Sequence, residues 1–180
     1  MRKILCLDPG FGKCGYALFE IDKREEDDTV LELGVLKTSK SQKKRKVLAA
    51  DDNVERASYL AKKLWKLSHG VSSICAESMS FPRNSSIAAK MAMCWGIICA
   101  IAVRRQIPIL QATPQEIKKC ICDDKSASKQ DIQDKLNVKY KECPGLAAKI
   151  AKGQREHPYD ALASGITCLD SAYLKLLRNM

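Results

Sequence analysis

Short apolar runs alternate with stretches of helical spacing along the chain. Residues 3–8 form an apolar run that stops at Pro9-Gly10, and residues 15–21 form a second, so the pair predicts a β-hairpin. Residues 29–38 alternate well enough to be a third strand, with a charged turn at 22–28 before it and a Lys-rich loop at 39–46 after it. Residues 48–67 carry Leu60, Leu64 and Leu67 at helical spacing, and Gly70 supplies a stop, which makes His69 a residue of the helix end. A fourth strand, buried by its composition, is expected at 71–76 and ends at Glu77. Residues 85–105 predict a long apolar helix and 107–111 a fifth strand, after which Thr113-Pro114 has the chemistry that opens a helix. Two further helices are expected at 126–136 and 158–177.

Three strands, a helix, a strand, a helix, a strand and closing helices resemble the ribonuclease H-like layout. The expected fold is therefore α/β, a five-stranded mixed sheet flanked by helices. At 180 residues with 46% hydrophobic content, the chain is long enough for one globular domain over 1–180 with a substantial core. A second full domain is not expected, and no repeat or low-complexity tract is present.

Charge adds a partner to this picture. A formal net charge of +10 and a pI near 9.2 favour a polyanion, because neutralising phosphates releases counterions. That points to nucleic acid without naming a reaction, since a purely structural binder would carry the same surplus. The nine cysteines are odd in number, and Cys6, Cys75, Cys94, Cys99 and Cys168 lie in apolar runs, so they read as buried thiols of a reducing compartment. No CxxC pair occurs, and Cys120 with Cys122 lacks a companion pair at zinc-site spacing, so any metal should be held by oxygen. The apolar start is too short for a signal peptide, and no apolar stretch is expected to reach membrane-spanning length. An intracellular, soluble protein with no membrane partner is the expectation.

The candidate chemistry lies in acids placed where elements begin and end. Asp8 closes the first strand, Glu77 closes the fourth, and Asp160 sits near the start of the last helix, so this layout can gather all three at the centre of the sheet. Crowded carboxylates repel one another, and the arrangement makes sense with hard divalent cations such as Mg²⁺ between them. Two such ions, roughly 3.5–4 Å apart, can activate a water and stabilise the departing 3′ oxygen of a phosphodiester.

The same residues carry a resemblance. Ile4-Leu5-Cys6-Leu7-Asp8-Pro9-Gly10 with Gly15 is similar to the DPGxxxxG opening of RuvC-type Holliday-junction resolvases. Glu77 with Asn84 resembles their second motif, and Tyr159-Asp160-Ala161-Leu162-Ala163 their DALA helix start. The resemblance implies a homodimer with two active sites, paired symmetric nicks across a four-way junction, and Asp8, Glu77 and Asp160 as metal-binding carboxylates. Where the family most often has a further aspartate, this chain has His157, three residues before Asp160 and on the same helix face. A neutral imidazole there can ligate metal or help activate water, with a shift of preference towards Mn²⁺. Alternatively Glu156 supplies the missing carboxylate, or His157 merely caps the helix before Pro158.

Junction binding should rest on backbone contacts and shape. The resemblance puts Lys118, Lys125 and Lys129 near the scissile phosphates, and a helix start around Ser126 or Ser128 would also favour phosphate. It makes residues 78–83 the loop that probes the junction centre, with Phe81 as the candidate wedge and Arg83 beside it. It also assigns the dimer interface to the helix from Ser85, with Met91, Met93 and Trp95. Three other classes retain the same features in part: a ribonuclease H-like nuclease of broader branched-DNA or RNA substrate, a non-catalytic nucleic-acid binder, and an actin-like phosphotransferase. The last needs two lobes around a nucleotide, for which this chain is too short.

Overall fold

The computed structural model describes residues 2–39, 49–79 and 83–180. Strands β1 (Arg2–Asp8), β2 (Lys13–Ile21) and β3 (Thr29–Lys37) form an antiparallel meander, and β4 (Ser73–Glu77) and β5 (Ile109–Ala112) run parallel to β1. The order across the sheet is β3-β2-β1-β4-β5. Central β1 is buried on both faces from Ile4 to Leu7, which is why its sequence is a continuous apolar run rather than an alternation. Parallel pairing brings the carboxyl ends of β1, β4 and β5 to one edge of the sheet, with Leu7 beside Ala76 and Glu77 beside Ala112.

Helices α1 (Ala49–Leu67) and α2 (Ser85–Arg105) cover one face, where Leu60, Leu64, Trp95 and Ile98 pack on Leu5, Leu7 and Ile74. The opposite face carries α3 (Pro114–Cys122), α4 (Lys129–Lys139), α5 (Cys143–Ala148), α6 (Glu156–Cys168) and α7 (Ala172–Asn179) over Ile4, Cys6, Ala17 and Phe19. Small residues let α6 lie close on β1. A Cβ at Gly165 would stand 2.1 Å from Cys6 Sγ, so any side chain there would push the helix off the strand.

Several element boundaries differ from the sequence expectation, each for a local reason. The single closing helix is two, because Ser171 accepts a hydrogen bond from Leu174 N and starts α7 afresh. Helix α4 begins at Lys129 rather than Ser126, since Ser128 and Asp131 form a reciprocal capping box. Helix α5, with Pro144 in its first turn, was not foreseen. The charged turn after β2 holds a 3-10 turn, Glu25–Asp27. The Lys-rich loop falls largely at 40–46, outside the described residues.

Two further expectations fail. Cys99 is exposed, as is Cys120, while Cys6, Cys14, Cys75, Cys94, Cys143 and Cys168 are buried free thiols. Helix α2 is long and apolar enough, by length and composition alone, to cross a membrane, contrary to the reading that no such stretch exists. Its Cys94, Trp95, Ile98, Ile101 and Ala102 are buried against the sheet, while Ile87 and Val103 are exposed and most of the apolar stretch lies outside the core.

The end of the chain is clasped to the sheet through charge. Arg178 donates two parallel hydrogen bonds to Asp28, at 2.8 Å and 2.7 Å, and a third to the Asp22 carbonyl. The Asp28 side chain is only 2% exposed. Nearby, Glu142 accepts a 2.7 Å hydrogen bond from Val30 N, occupying one backbone donor of edge strand β3.

Candidate functional site

Asp8 is the last residue of β1 and Glu77 the last of the adjacent parallel strand β4, so the sheet sets two carboxylates side by side. Helix α6 crosses that edge and presents His157 from its first turn and Asp160 one turn later. These four side chains line one pocket of about 300 Å³ with Lys118 and Lys129, over an apolar wall of Pro114, Ile117 and Ile132. The three acids therefore share a site, although they are separated by 69 and 83 positions in sequence (77 − 8 and 160 − 77).

The polar contacts in the pocket are specific. His157 Nδ1 lies 2.9 Å from Asp8 Oδ2, with the two side chains 20% and 23% exposed. Lys129 Nζ donates to Asp160 Oδ2 at 2.7 Å and to Glu156 Oε2 at 3.4 Å. His157 Nε2 is 4.0 Å from Glu156 Oε1, so Glu156 faces the outer side of the imidazole. His157 does not cap α6, whose N-cap is Arg155 with no side-chain hydrogen bond. The position of His157 depends on β2, because a Cβ at Gly15 would stand 2.2 Å from the His157 carbonyl oxygen.

Electrostatics mark the pocket as a place that wants positive charge. Burial pushes the Asp8 carboxyl above the ordinary range, with Asp160 adding repulsion, and the His157 hydrogen bond only partly opposes this. Burial also raises Glu77, and the negative charges of Asp8 and Asp160 raise it further. Burial works against the Lys129 ammonium, yet Asp160 and Glu156 outweigh it and hold its pKa above the usual lysine value. One lysine thus partly neutralises the acids.

Three carboxylates and one imidazole, with two of the acids' charged forms disfavoured, make a donor set that could hold a divalent cation. Among the described residues, no group of three or more such donors is arranged to hold an ion with the side chains as they stand. The Asp160 carboxylate is turned to Lys129. Chemically the residues fit a divalent ion, and Lys129 adds one positive charge beside them.

The other expected residues distribute unevenly. Lys118 and Lys129 line the acid pocket, whereas Lys125 lines a separate hollow with Thr113, Glu116, Lys119 and Thr167. Ser128 and Ser126 do not offer a free anion site: Asp131 accepts from Ser128 N and Oγ, and Asp124 accepts from Ser126 N and Oγ. Arg83 is exposed, next to Asn84, which caps α2 by accepting from Ile87 N. Phe81 lies outside the described residues. The sequence reading missed the apolar wall, although the buried positions Ile117 and Ile132 sit at helix-core spacing, and while it named Lys129 it did not foresee that this lysine pairs with Asp160.

The family model described as "Crossover junction endodeoxyribonuclease RuvC" matches residues 4–167. The chain is 31% identical over 143 residues to a protein of that name from Pseudothermotoga lettingae, covering 75% of this chain and 78% of the relative. It is 27% identical over 171 residues to the Synechococcus one, covering 92% and 96%. Among solved structures, T. thermophilus RuvC in complex with a Holliday junction substrate superposes with a TM-score of 0.74 at 19% identity, over 99% of this chain and 98% of that one. The yeast mitochondrial Holliday junction resolvase superposes with a TM-score of 0.67 at 14% identity, over 99% and 82%. These likenesses support the ribonuclease H-like fold of the resolvases, and the sequence match over nearly the whole chain means that it belongs to the RuvC crossover junction endodeoxyribonuclease family.

Proposed function

We propose that this chain, acting as one domain and as a homodimer, is a structure-selective DNA endonuclease that resolves four-way junctions by paired symmetric nicks. The observation that carries the reading is the meeting of Asp8, Glu77, His157 and Asp160 in one pocket of a RuvC-family chain. Relatives of this family are metal-dependent nucleases, and structures with junction DNA exist for the bacterial and fowlpox virus resolvases. Dimerisation through α2 is supported by its apolar length, most of which lies outside the core of a single chain. The +10 charge suits a DNA partner, and membership of a DNA-processing family supports an intracellular setting.

In this reading Asp8, Glu77 and Asp160 hold the divalent cations, with His157 completing the set on the side of Asp8. Two Mg²⁺ ions per site are proposed, with Mn²⁺ as a good substitute because imidazole nitrogen suits the softer ion. When bound, the ions supply Lewis-acid stabilisation of charge at the phosphodiester and lower the pKa of water. The chain's own residues do the remaining work. His157 is tied to Asp8, and that contact orients its ring. Lys129 and Lys118 face the place where a phosphate would lie and offset its charge. The apolar wall of Ile117 and Ile132 limits water on the far side. Phe81, Arg83 and Lys125 are proposed to hold the junction itself, by wedging and backbone contact.

The test is cleavage of a synthetic four-way junction under Mg²⁺ or Mn²⁺, run beside flap, fork and duplex substrates. Asp8→Asn is expected to lower cutting by on the order of a thousandfold while junction affinity stays near parental. Parental cutting in that variant rejects the site. Equal cutting of flap and junction by the parent protein replaces the resolvase reading with a nuclease of broader substrate.

A further inference from the structure

On the sheet face opposite the acid pocket, a groove of about 630 Å³ lies between the end of α1 and edge strand β3. Its floor is aliphatic: Leu18, Leu31, Leu36, Leu67 and Val71, with Leu31 left 38% exposed. Its rim is basic, formed by Lys3 from the start of β1 and by Lys63 and Lys66 from the last two turns of α1, with His69 beside them. The one acid of the lining, Glu32, is already engaged by the Tyr16 hydroxyl at 2.6 Å. Among the described residues Lys3 and Lys66 have no ion-pair partner, and Lys63 rests over the Tyr59 ring at 5.6 Å. Lys62, exposed one turn before Lys66, adds another positive charge to the same helix. The groove lies towards the amino end of β1, five residues from Asp8, a span of roughly 17 Å along the strand.

We propose that this groove docks an acidic peptide segment of a partner protein, one that carries a large aliphatic or aromatic side chain among Asp and Glu residues. Charge complementarity selects the sign of the partner, since free lysines ring the groove and its only carboxylate is occupied. The floor selects peptide over nucleic acid. A phosphate backbone needs cations and, for single strands, open rings on which bases stack, whereas the one ring in the lining, Tyr16, is packed over Gly34 and tied to Glu32, and the rest of the floor is aliphatic carbon that an apolar side chain would cover. The two sites occupy opposite faces and opposite ends of the sheet, so occupancy of the groove leaves the acid pocket open to DNA.

The experiment uses the full chain and a fluorescein-labelled twelve-residue peptide of Asp and Glu interrupted by one Leu and one Phe, read by fluorescence anisotropy. Binding is expected to weaken about tenfold in the Lys63→Glu/Lys66→Glu double variant, and similarly when the peptide's Leu and Phe become Ser. Leu31→Asp, a surface change, provides a second variant with the same expected loss. Four-way-junction affinity and cutting by all variants should match the parent, which keeps this outcome separate from failure of the nuclease reading. Peptide affinity unchanged in both variants overturns the proposal. Loss of junction affinity in the double variant, with the junction displacing the peptide, overturns it in favour of a second nucleic-acid surface.

Discussion

Asp28 and Asp8 are both carboxylates drawn out of water, and the chain treats them in opposite ways. Asp28, 2% exposed, receives two hydrogen bonds from Arg178 and one from Asp22 N, so its charge is fully met. Asp8 has one imidazole for a partner and two other acids for neighbours, and its carboxyl is pushed up by burial. Paired burial of the first kind holds a structure together, while breaking it leaves a stranded charge. Burial of the second kind, only partly offset by a partner, works against the fold. The difference separates a carboxylate fully met by its own chain from one that is not.

Three measurements sharpen or break this contrast. The largest effect is expected at the clasp, where Arg178→Ala strands a buried carboxylate and should destabilise the protein by about 3 kcal/mol in urea unfolding. Adding Asp28→Asn to that variant should recover part of the loss, and a double variant as unstable as the two single effects summed would show that the pair is not coupled. In the acid pocket the sign reverses. Glu77→Gln is expected to stabilise the metal-free protein slightly, by less than about 1 kcal/mol, because it removes one of three crowded negative charges. Adding Mg²⁺ should then raise the melting temperature of the parent more than that of the variant. A destabilised Glu77→Gln protein would mean that the pocket is not under electrostatic strain.

The smallest effect is on pH. Asp8 and Glu77 have folded-state pKa values above their ordinary ones, so the folded protein takes up protons more readily than the unfolded chain. Their unfavourable contribution is present above the raised pKa values and is relieved as pH falls through them towards the ordinary carboxylate range. Metal-free parent should therefore lose less stability than Glu77→Gln on mild acidification from neutral pH, and identical profiles would remove Glu77 from the account.

Much of the fold was legible in the sequence because burial writes a simple pattern. The five strands, the α1 and α2 spans and the Thr113 cap followed from apolar runs, helical spacing and capping chemistry. The break between α6 and α7 was not, because Leu169, Leu174 and Leu177 continue an apolar helical pattern across it and only the Ser171 side chain marks the restart. The start of α4 was misplaced for a related reason, as Ser126 and Ser128 are equal candidates until Asp131 chooses between them. At the site, the positions of Asp8, Glu77 and Asp160 at element ends could be read, and so could the shared helix face of His157 and Asp160. Which acid His157 faces could not, since that depends on how closely α6 approaches β2. The pairing of Lys129 with Asp160 was likewise hidden, because a long flexible side chain reaches its partner across 31 positions of sequence.

Gly15 has a consequence for anyone who would rebuild this centre. The hairpin that begins the chain acts as a spacer gauge for a histidine near its far end, because backbone from β2 meets backbone from α6 with no room for even one carbon between them. Grafting the four donors onto another sheet without that bare contact would set the imidazole too far from its carboxylate. The glycine, which lines no part of the pocket, is thus as much a part of its construction as the four donors that do.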